Sequence, residues 1–158
     1  MLPPRPPTVS KVQLDRNGLE ILEARECFDL LGTVGIGRVA LSVRALPVVL
    51  PVHFAVMDGK VVVRTVPGTK LDAALAGAVV AFEADDVTED GEDGWSVMVQ
   101  GQASLIDDES ELEQARALGL RPWIGSSNDH FMSISADVVT GRRRPVLESA
   151  EDGVAAPR

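Results

Sequence analysis

Cysteine and histidine are scarce in this chain of 158 residues, and their scarcity excludes several kinds of chemistry. With one cysteine, Cys27, the chain cannot form an internal disulfide, and a reducing compartment is favoured. The two histidines, His53 and His130, stand in no HxxxH or CxxC pattern, so no metal centre is expected. A Gly-x-Ser-x-Gly segment is also missing, which argues against triad chemistry. Any difficult chemistry is therefore expected to come from a bound cofactor.

Long apolar runs are missing as well. No segment is long and apolar enough to span a bilayer, and the proline-rich start has no stretch of signal-peptide length. We therefore expect a cytoplasmic protein. Apolar residues make up 45% of the chain and charged residues 25%, as in one globular domain with a substantial core.

Positive charge is in short supply in the second half of the chain, and the net charge is −9. Residues 1–80 carry nine Lys or Arg against seven Asp or Glu, whereas the remainder carries six against seventeen. Such an acidic chain is a poor candidate for binding nucleic acid. The triplet Arg142-Arg143-Arg144 is too short to reverse this, and we interpret it as a solvated strand end or a partner-facing edge.

The sequence pattern divides the chain into a flexible proline-rich arm (1–12), one domain (13–145) and a flexible tail (146–158). Early hairpin spacing and a single strand–helix–strand crossover favour a mainly β, mostly antiparallel barrel with short flanking helices over a doubly wound sheet. The predicted strands cover 38–43, 46–57, 60–65, 78–83, 95–106 and 130–139, and the predicted helices cover 19–31, 70–76 and 107–118.

Three local signals refine these elements. Asp58-Gly59 between two β-branched runs predicts a two-residue hairpin. Pro47 and Pro51 cannot donate to a ladder, so the second strand must have an edge, a bulge or a gap at those positions. Gly101 is predicted to form a bulge in the fifth strand.

The segment 61–71 is typical of a phosphate site, because a predicted strand of β-branched residues ends before Pro67-Gly68 and a predicted helix begins directly after them. Arg64 and Lys70 would supply cations there, Thr65 and Thr69 hydroxyls, and the helix start backbone donors. The absence of an acid that could hold Mg²⁺ favours a monophosphate. Ordinary surface residues explain the same spacing equally well.

Two nucleotide-binding fingerprints are ruled out by position. Gly32, Gly35 and Gly37 have the wrong spacing for a dinucleotide fingerprint and precede a strand. Gly68-Thr69-Lys70 resembles the end of a Walker loop but lacks the upstream glycine. A nucleotide triphosphatase is therefore not expected.

An ordered set of motifs over residues 20–144 resembles the flavin-binding split-barrel family that contains the pyridoxamine 5′-phosphate oxidases, and most of all its small actinobacterial-type branch. The motifs are Gly37-Arg38-Val39, Pro51-Val52-His53-Phe54, Arg64-Thr65, Gly68-Thr69-Lys70, Val79–Asp85, Gly94–Gly101 and Arg121-Pro122-Trp123. No single one of them is diagnostic, but their order is fairly specific.

The resemblance implies a homodimer of six-stranded antiparallel split barrels with flavin mononucleotide (FMN) in clefts at the subunit interface. By position, the phosphate and ribityl group would be held by Arg64, Thr65, Thr69 and Lys70. The isoalloxazine would lie along Pro51, Val52, His53 and Phe54. Trp95 and Ser96 would approach from the partner subunit, and Trp123 would close the cleft.

The chain also departs from the oxidases that this resemblance brings to mind. Its second strand has no Lys or Arg after Arg44, and its tail carries Glu148, Glu151 and Asp152 where the oxidases grip pyridoxal phosphate. The resemblance therefore implies a flavin-dependent oxidoreductase of unknown substrate and not an authentic pyridoxamine phosphate oxidase.

A non-catalytic dimer that binds or senses flavin, deazaflavin or haem is the alternative. His53 or His130 would then be the axial ligand of a haem, although their spacing does not support it. His53 near a flavin edge and His53 as an ordinary strand residue are equally compatible with the sequence.

Overall fold

In the computed structural model, residues 12–121 and 130–145 are described, and the side chain of Lys70 is not. The predicted tail, Trp123 and all of the predicted arm except Val12 lie outside these residues. The elements are β1 (Glu20–Leu22), α1 (Ala24–Leu31), β2 (Ile36–Val43), β3 (Leu46–Met57), β4 (Lys60–Thr65), α2 (Lys70–Leu75), β5 (Val79–Val87), β6 (Gly94–Leu105), α3 (Glu109–Ala117), β7 (His130–Ile134) and β8 (Val138–Arg143).

Six antiparallel strands close into a barrel in the order β6-β5-β2-β3-β4-β7, and β7 pairs again with β6. Two further strands extend the sheet outside this closed barrel, β8 on β6 and β1 on β8. The predicted six-stranded antiparallel barrel with short flanking helices is therefore confirmed. The helix predicted over 19–31 begins late, because residues 20–22 pair with β8 as strand β1.

The barrel closes at a corner in β6. Its residues 95–100 pair with β8 and its residues 103–105 pair with β7. A Cβ added at Gly101 would overlap the carbonyl oxygen of Ser135, so the close approach of the two chains requires glycine. The prediction of a bulge at Gly101 is wrong for the pairing of β6 with β5, because Val80 pairs with Gly101 in unbroken register. The predicted strand 130–139 is therefore two strands, which reach β6 on either side of this corner.

Of the three arrangements predicted for the β3 prolines (an edge, a bulge or a gap), the structure has an edge. Pro47 and Pro51 pair with β2, and β4 joins the other side of β3 only from Phe54 onward. Within the described residues, the first part of β3 is therefore a sheet edge on that side. The adjoining turn, Asp58-Gly59, has positive φ at both residues (50° and 70°), as a two-residue hairpin requires.

Strand β4 is buried on both faces. Val61 and Val63 belong to the main core inside the barrel, whereas Val62 packs in a second cluster with Phe131 and residues of α3. All three valines are fully buried, which explains the uninterrupted apolar run. This double burial fixes the direction of the two residues that follow, Arg64 and Thr65.

Among the described residues, no helix has both the length and the apolar character needed to cross a membrane.

Candidate functional site

The turn between β4 and α2 has the strand–break–helix form that the sequence predicts. Gly68 adopts φ of +78°, a conformation that favours glycine. Thr69 is the N-cap of α2, and its Oγ1 accepts the N–H of Asp72 at 3.2 Å while donating to the carbonyl of Val66 at 2.8 Å. Helix α2 begins at Lys70, directly after this cap. The turn is thus held in one shape by its own hydrogen bonds.

Asp72 is the centre of this turn, and the sequence analysis did not identify it. Its Oδ1 accepts the hydroxyl of Thr65 at 2.9 Å and lies 2.9 Å from Nδ1 of His130. Its Oδ2 accepts the N–H of Gly68 at 3.2 Å. The signal that could have revealed it is the Thr69-x-x-Asp72 spacing, which is typical of a helix capping box.

The charge of Asp72 is stabilised despite burial. Only 12% of its side chain is exposed, and burial by itself raises the pKa of a carboxyl group. The hydrogen bonds from His130, Thr65 and Gly68 outweigh burial and hold the pKa of Asp72 below its ordinary value. The side chain is therefore a carboxylate at neutral pH.

Arg64 lies on the other face of β4 from Thr65, because consecutive residues of a strand point to opposite faces. Its Nη1 donates to the carbonyl of Leu120 at 2.6 Å, and its guanidinium lies 5.9 Å from the ring centre of Phe131. Thr65, in contrast, faces Asp72 and is only 3% exposed. The structure therefore brings Thr65 and Thr69 together around Asp72, and joins Arg64 to the segment that follows α3.

The predicted isoalloxazine segment lies on β3. Val52 and Phe54 are core residues, and the ring of Phe54 lies 4.6 Å from that of Phe82 at a tilt of 59°. Pro51 is exposed and His53 is half-buried, with His53 paired to Ile36 of β2. The side chains of Val52 and Phe54 thus pack in the core. A ligand at this segment would contact mainly the backbone and the side chains of Pro51 and His53.

Trp95 and Ser96 lie far from the turn within one chain. Trp95 is buried and pairs with Asp86 near the end of β5, whereas α2 precedes the start of β5 at Val79. At about 3.4 Å per residue, the part of β5 between Val79 and Asp86 spans roughly 24 Å. Their approach from a partner subunit stays a prediction, and Trp123 lies outside the described residues.

An apolar cleft of about 750 Å³ lies beside α2. The β2–β3 hairpin forms one wall and residues of α2 form the other, with Arg44 as the charged residue of the lining. The lining residues are Leu41, Val43, Arg44, Leu46, Val48, Leu50, Leu71, Ala73 and Ala74. This volume falls within the range of small-molecule and cofactor sites. Among the described residues, no group of three or more His, Cys, Asp or Glu side chains is arranged to hold a metal ion.

The chain matches one family model and several known proteins. Residues 23–143 match the family model of pyridoxamine 5′-phosphate oxidase. The uncharacterized protein Rv0080 of Mycobacterium tuberculosis is 37% identical over 137 residues, which is 84% of each chain.

Two solved structures are also similar. The FAD binding protein from Mycobacterium smegmatis is 38% identical, with a TM-score of 0.68 over 78% of this chain and 96% of that chain. A Corynebacterium glutamicum protein named after pyridoxamine 5′-phosphate oxidase is 32% identical, with a TM-score of 0.70 over 79% of this chain and 97% of that chain.

Proposed function

Because the chain belongs to the pyridoxamine 5′-phosphate oxidase family, we propose that it binds a flavin and acts as a flavin-dependent oxidoreductase. The observation that carries this proposal is the 38% identity to a FAD binding protein, over 96% of that protein's length. The flavin, once bound, would supply hydride transfer. The residues of this chain would bind the flavin, orient it and exclude water.

The turn after β4 is the proposed site of the flavin phosphate. Thr69 and the backbone of Lys70 lie at the start of α2, where an anion is favoured by the helix dipole. We expect direct contact from Lys70 and the backbone at the helix start. Thr69 would hold the turn through its bonds to Val66 and Asp72, and Arg64 and Thr65 would act from the strand behind it. The ordered shape of the turn and the neighbouring apolar cleft are compatible with a phosphate joined to a large planar ring.

The isoalloxazine is proposed to lie along β3 at Pro51, Val52, His53 and Phe54. From Pro51 to His53 one side of β3 has no strand neighbour among the described residues, which supports backbone contact with the polar side of the ring. We propose FMN as the bound form. FAD, which the Mycobacterium smegmatis protein binds, carries a further nucleotide beyond the same phosphate, and identification of the extracted flavin by mass distinguishes the two.

The substrate is proposed to be other than pyridoxamine 5′-phosphate. Strand β3 carries no Lys or Arg, so the cationic set expected of the true oxidases on this strand is missing. A phosphorylated substrate would therefore lack its charge partners at this strand.

A homodimer with flavin at the interface is also proposed. On the outer face of the sheet, one row of side chains runs across five strands by register: Val49, Ala40, Ala81, Gln100 and Val138. Val49 is 61% exposed and Val138 is 49% exposed. Four of the five residues are apolar, and a largely apolar, partly exposed row is typical of a surface that pairs with another protein. A second subunit packed on it would bring Trp95 and Ser96 closer to the other chain's turn.

A visible absorption spectrum of freshly purified protein tests the proposal. Flavin bands in the blue, and their reduction by a nicotinamide donor in stopped flow, are the expected results. A protein that takes up neither FMN nor FAD would overturn flavin binding. One that binds flavin but is not reduced by any donor would support the non-catalytic alternative, and a Soret band would indicate haem.

A further inference from the structure

We propose that Thr65, Asp72 and His130 form a positioning network that fixes the phosphate-binding turn without touching the phosphate. This inference rests on the proposed function, because it assigns roles around the proposed flavin phosphate. It also changes the role of Thr65, whose hydroxyl the sequence assigned to the phosphate itself. We call the three residues the Asp72 network.

The Thr65 hydroxyl points to Asp72. A carboxylate has no proton to give, so the hydrogen of Thr65 Oγ1 must point to Asp72 Oδ1 at 2.9 Å. With 3% of its surface exposed, Thr65 cannot turn this hydrogen toward a ligand without breaking that bond inside the protein. A direct contact between Thr65 and a phosphate would therefore leave Asp72 with one donor fewer.

Asp72 connects three separate segments of the chain. Its Oδ1 binds the end of β4 through Thr65 and the start of β7 through His130. Its Oδ2 binds the N–H of Gly68, in the middle of the turn. One buried side chain thus fixes the turn relative to two barrel strands, which are themselves paired at Thr65 and His130. Such a connection determines where Thr69 and Lys70 stand.

The donors around Asp72 are already in use. Its carboxylate accepts hydrogen bonds from Thr65, Gly68 and His130, and the ring nitrogen of His130 facing it must carry the proton. Because these donors are occupied, the phosphate is expected to use donors on the other side of the turn. The negative charge of Asp72 also disfavours a phosphate bound directly beside it.

A comparison of FMN with riboflavin, which lacks the phosphate, tests this inference. The ratio of the riboflavin to the FMN dissociation constant measures what the phosphate contributes. We expect Thr65→Val and Asp72→Asn each to lower this ratio about tenfold, which corresponds to about 1.4 kcal/mol. The double variant should lower it no further than either single variant, because both changes break the same network.

Matched variants separate positioning from general damage. Thr65→Ser keeps the hydroxyl and should retain the wild-type ratio. Thr88→Val makes the same change as Thr65→Val in the exposed loop after β5, and should have no effect on the ratio. If Asp72→Asn does not fold, His130 supplies the second test. His130→Asn retains a donor near Nδ1 and should keep the ratio, whereas His130→Ala should lower it.

The outcomes are distinct. A wild-type protein that binds no flavin, or binds riboflavin and FMN equally, would overturn the proposed function or its phosphate site, and the inference with it. A wild-type preference for FMN that falls in Thr65→Val but stays intact in Asp72→Asn or His130→Ala would overturn the positioning role alone. Additive losses in the double variant would do the same, since they indicate that Thr65 contacts the phosphate independently.

Discussion

Arg64 and Thr65 are neighbours in sequence, yet their side chains lie on opposite faces of β4. Thr65 donates to Asp72 beneath the turn, whereas Arg64 donates to Leu120 and lies against Phe131. A pair that resembles one binding motif in the sequence is thus divided between two parts of the fold.

Replacement of Arg64 by lysine is expected to reduce stability more than flavin affinity. Lysine keeps the charge but loses the planar group that binds Leu120 and stacks on Phe131. We expect the free energy of unfolding to fall by about 1–2 kcal/mol. Urea denaturation measures this loss. A variant of unchanged stability that binds FMN much more weakly would instead place Arg64 at the phosphate.

Replacement of Lys70 by alanine is expected to weaken FMN binding about tenfold or more without unfolding the protein. Fluorescence titration measures the affinity, and a melting curve checks the fold. Lys60→Ala is the matched control. Lys60 lies at the start of β4, away from the turn, and forms an ion pair with Glu111 of α3. Equal affinity in the Lys70 variant and the wild type would rule out this lysine as a phosphate ligand.

Asp72 should contribute stability that depends on pH. Because the folded state holds the pKa of Asp72 below its ordinary value of 3.8, the contribution is present above that value and is lost as the pH falls through the folded pKa. Wild type should therefore be more stable than Asp72→Asn at neutral pH, and the difference should narrow below about pH 4. Urea denaturation at pH 7 and pH 3 measures it. The same difference at both pH values would contradict this account.

Gly101→Ala should be strongly destabilising, because its Cβ would overlap the backbone of Ser135 at the corner of β6. We expect a loss of about 3 kcal/mol. Gly35→Ala is the control, since a Cβ at Gly35 meets no atom within 4 Å. Thermal melting compares the two variants. If the two melt alike, the close contact at the corner does not govern stability.

Cys27 should be unreactive in the folded protein. It is fully buried, and burial raises the pKa of its thiol, so little reactive thiolate is present. Ellman's reagent at pH 8 is expected to label Cys27 only after urea is added. Labelling of the native protein at the rate of a free thiol would show that α1 opens readily.

The sequence predicts those parts of the fold that depend on neighbours along the chain. The hairpin at Asp58-Gly59 and the edge at Pro51 follow from local backbone rules, and both are confirmed. The division of the strand predicted over 130–139 could not be foreseen, because it is caused by the corner at Gly101, far away in sequence.

The candidate site divides in the same way. The strand, the turn and the helix start around Thr69 follow from local pattern, and the structure has them. The bond between His130 and Asp72 depends on the pairing of β4 with β7, which no local pattern encodes. Single histidine and acidic residues are common on protein surfaces and in cores, so the sequence does not show that His130 and Asp72 support the turn.

The closure of the barrel by β7 has a consequence for synthesis. Strand β7 is the last barrel strand to leave the ribosome, and it pairs with β4 on one side and β6 on the other. Until residue 134 has emerged, a nascent chain exposes two unpaired strand edges. Such edges are sites of aggregation in other β proteins. Chains that stop before β7 are therefore expected to need chaperones, whereas chains that reach it can bury both edges in one step.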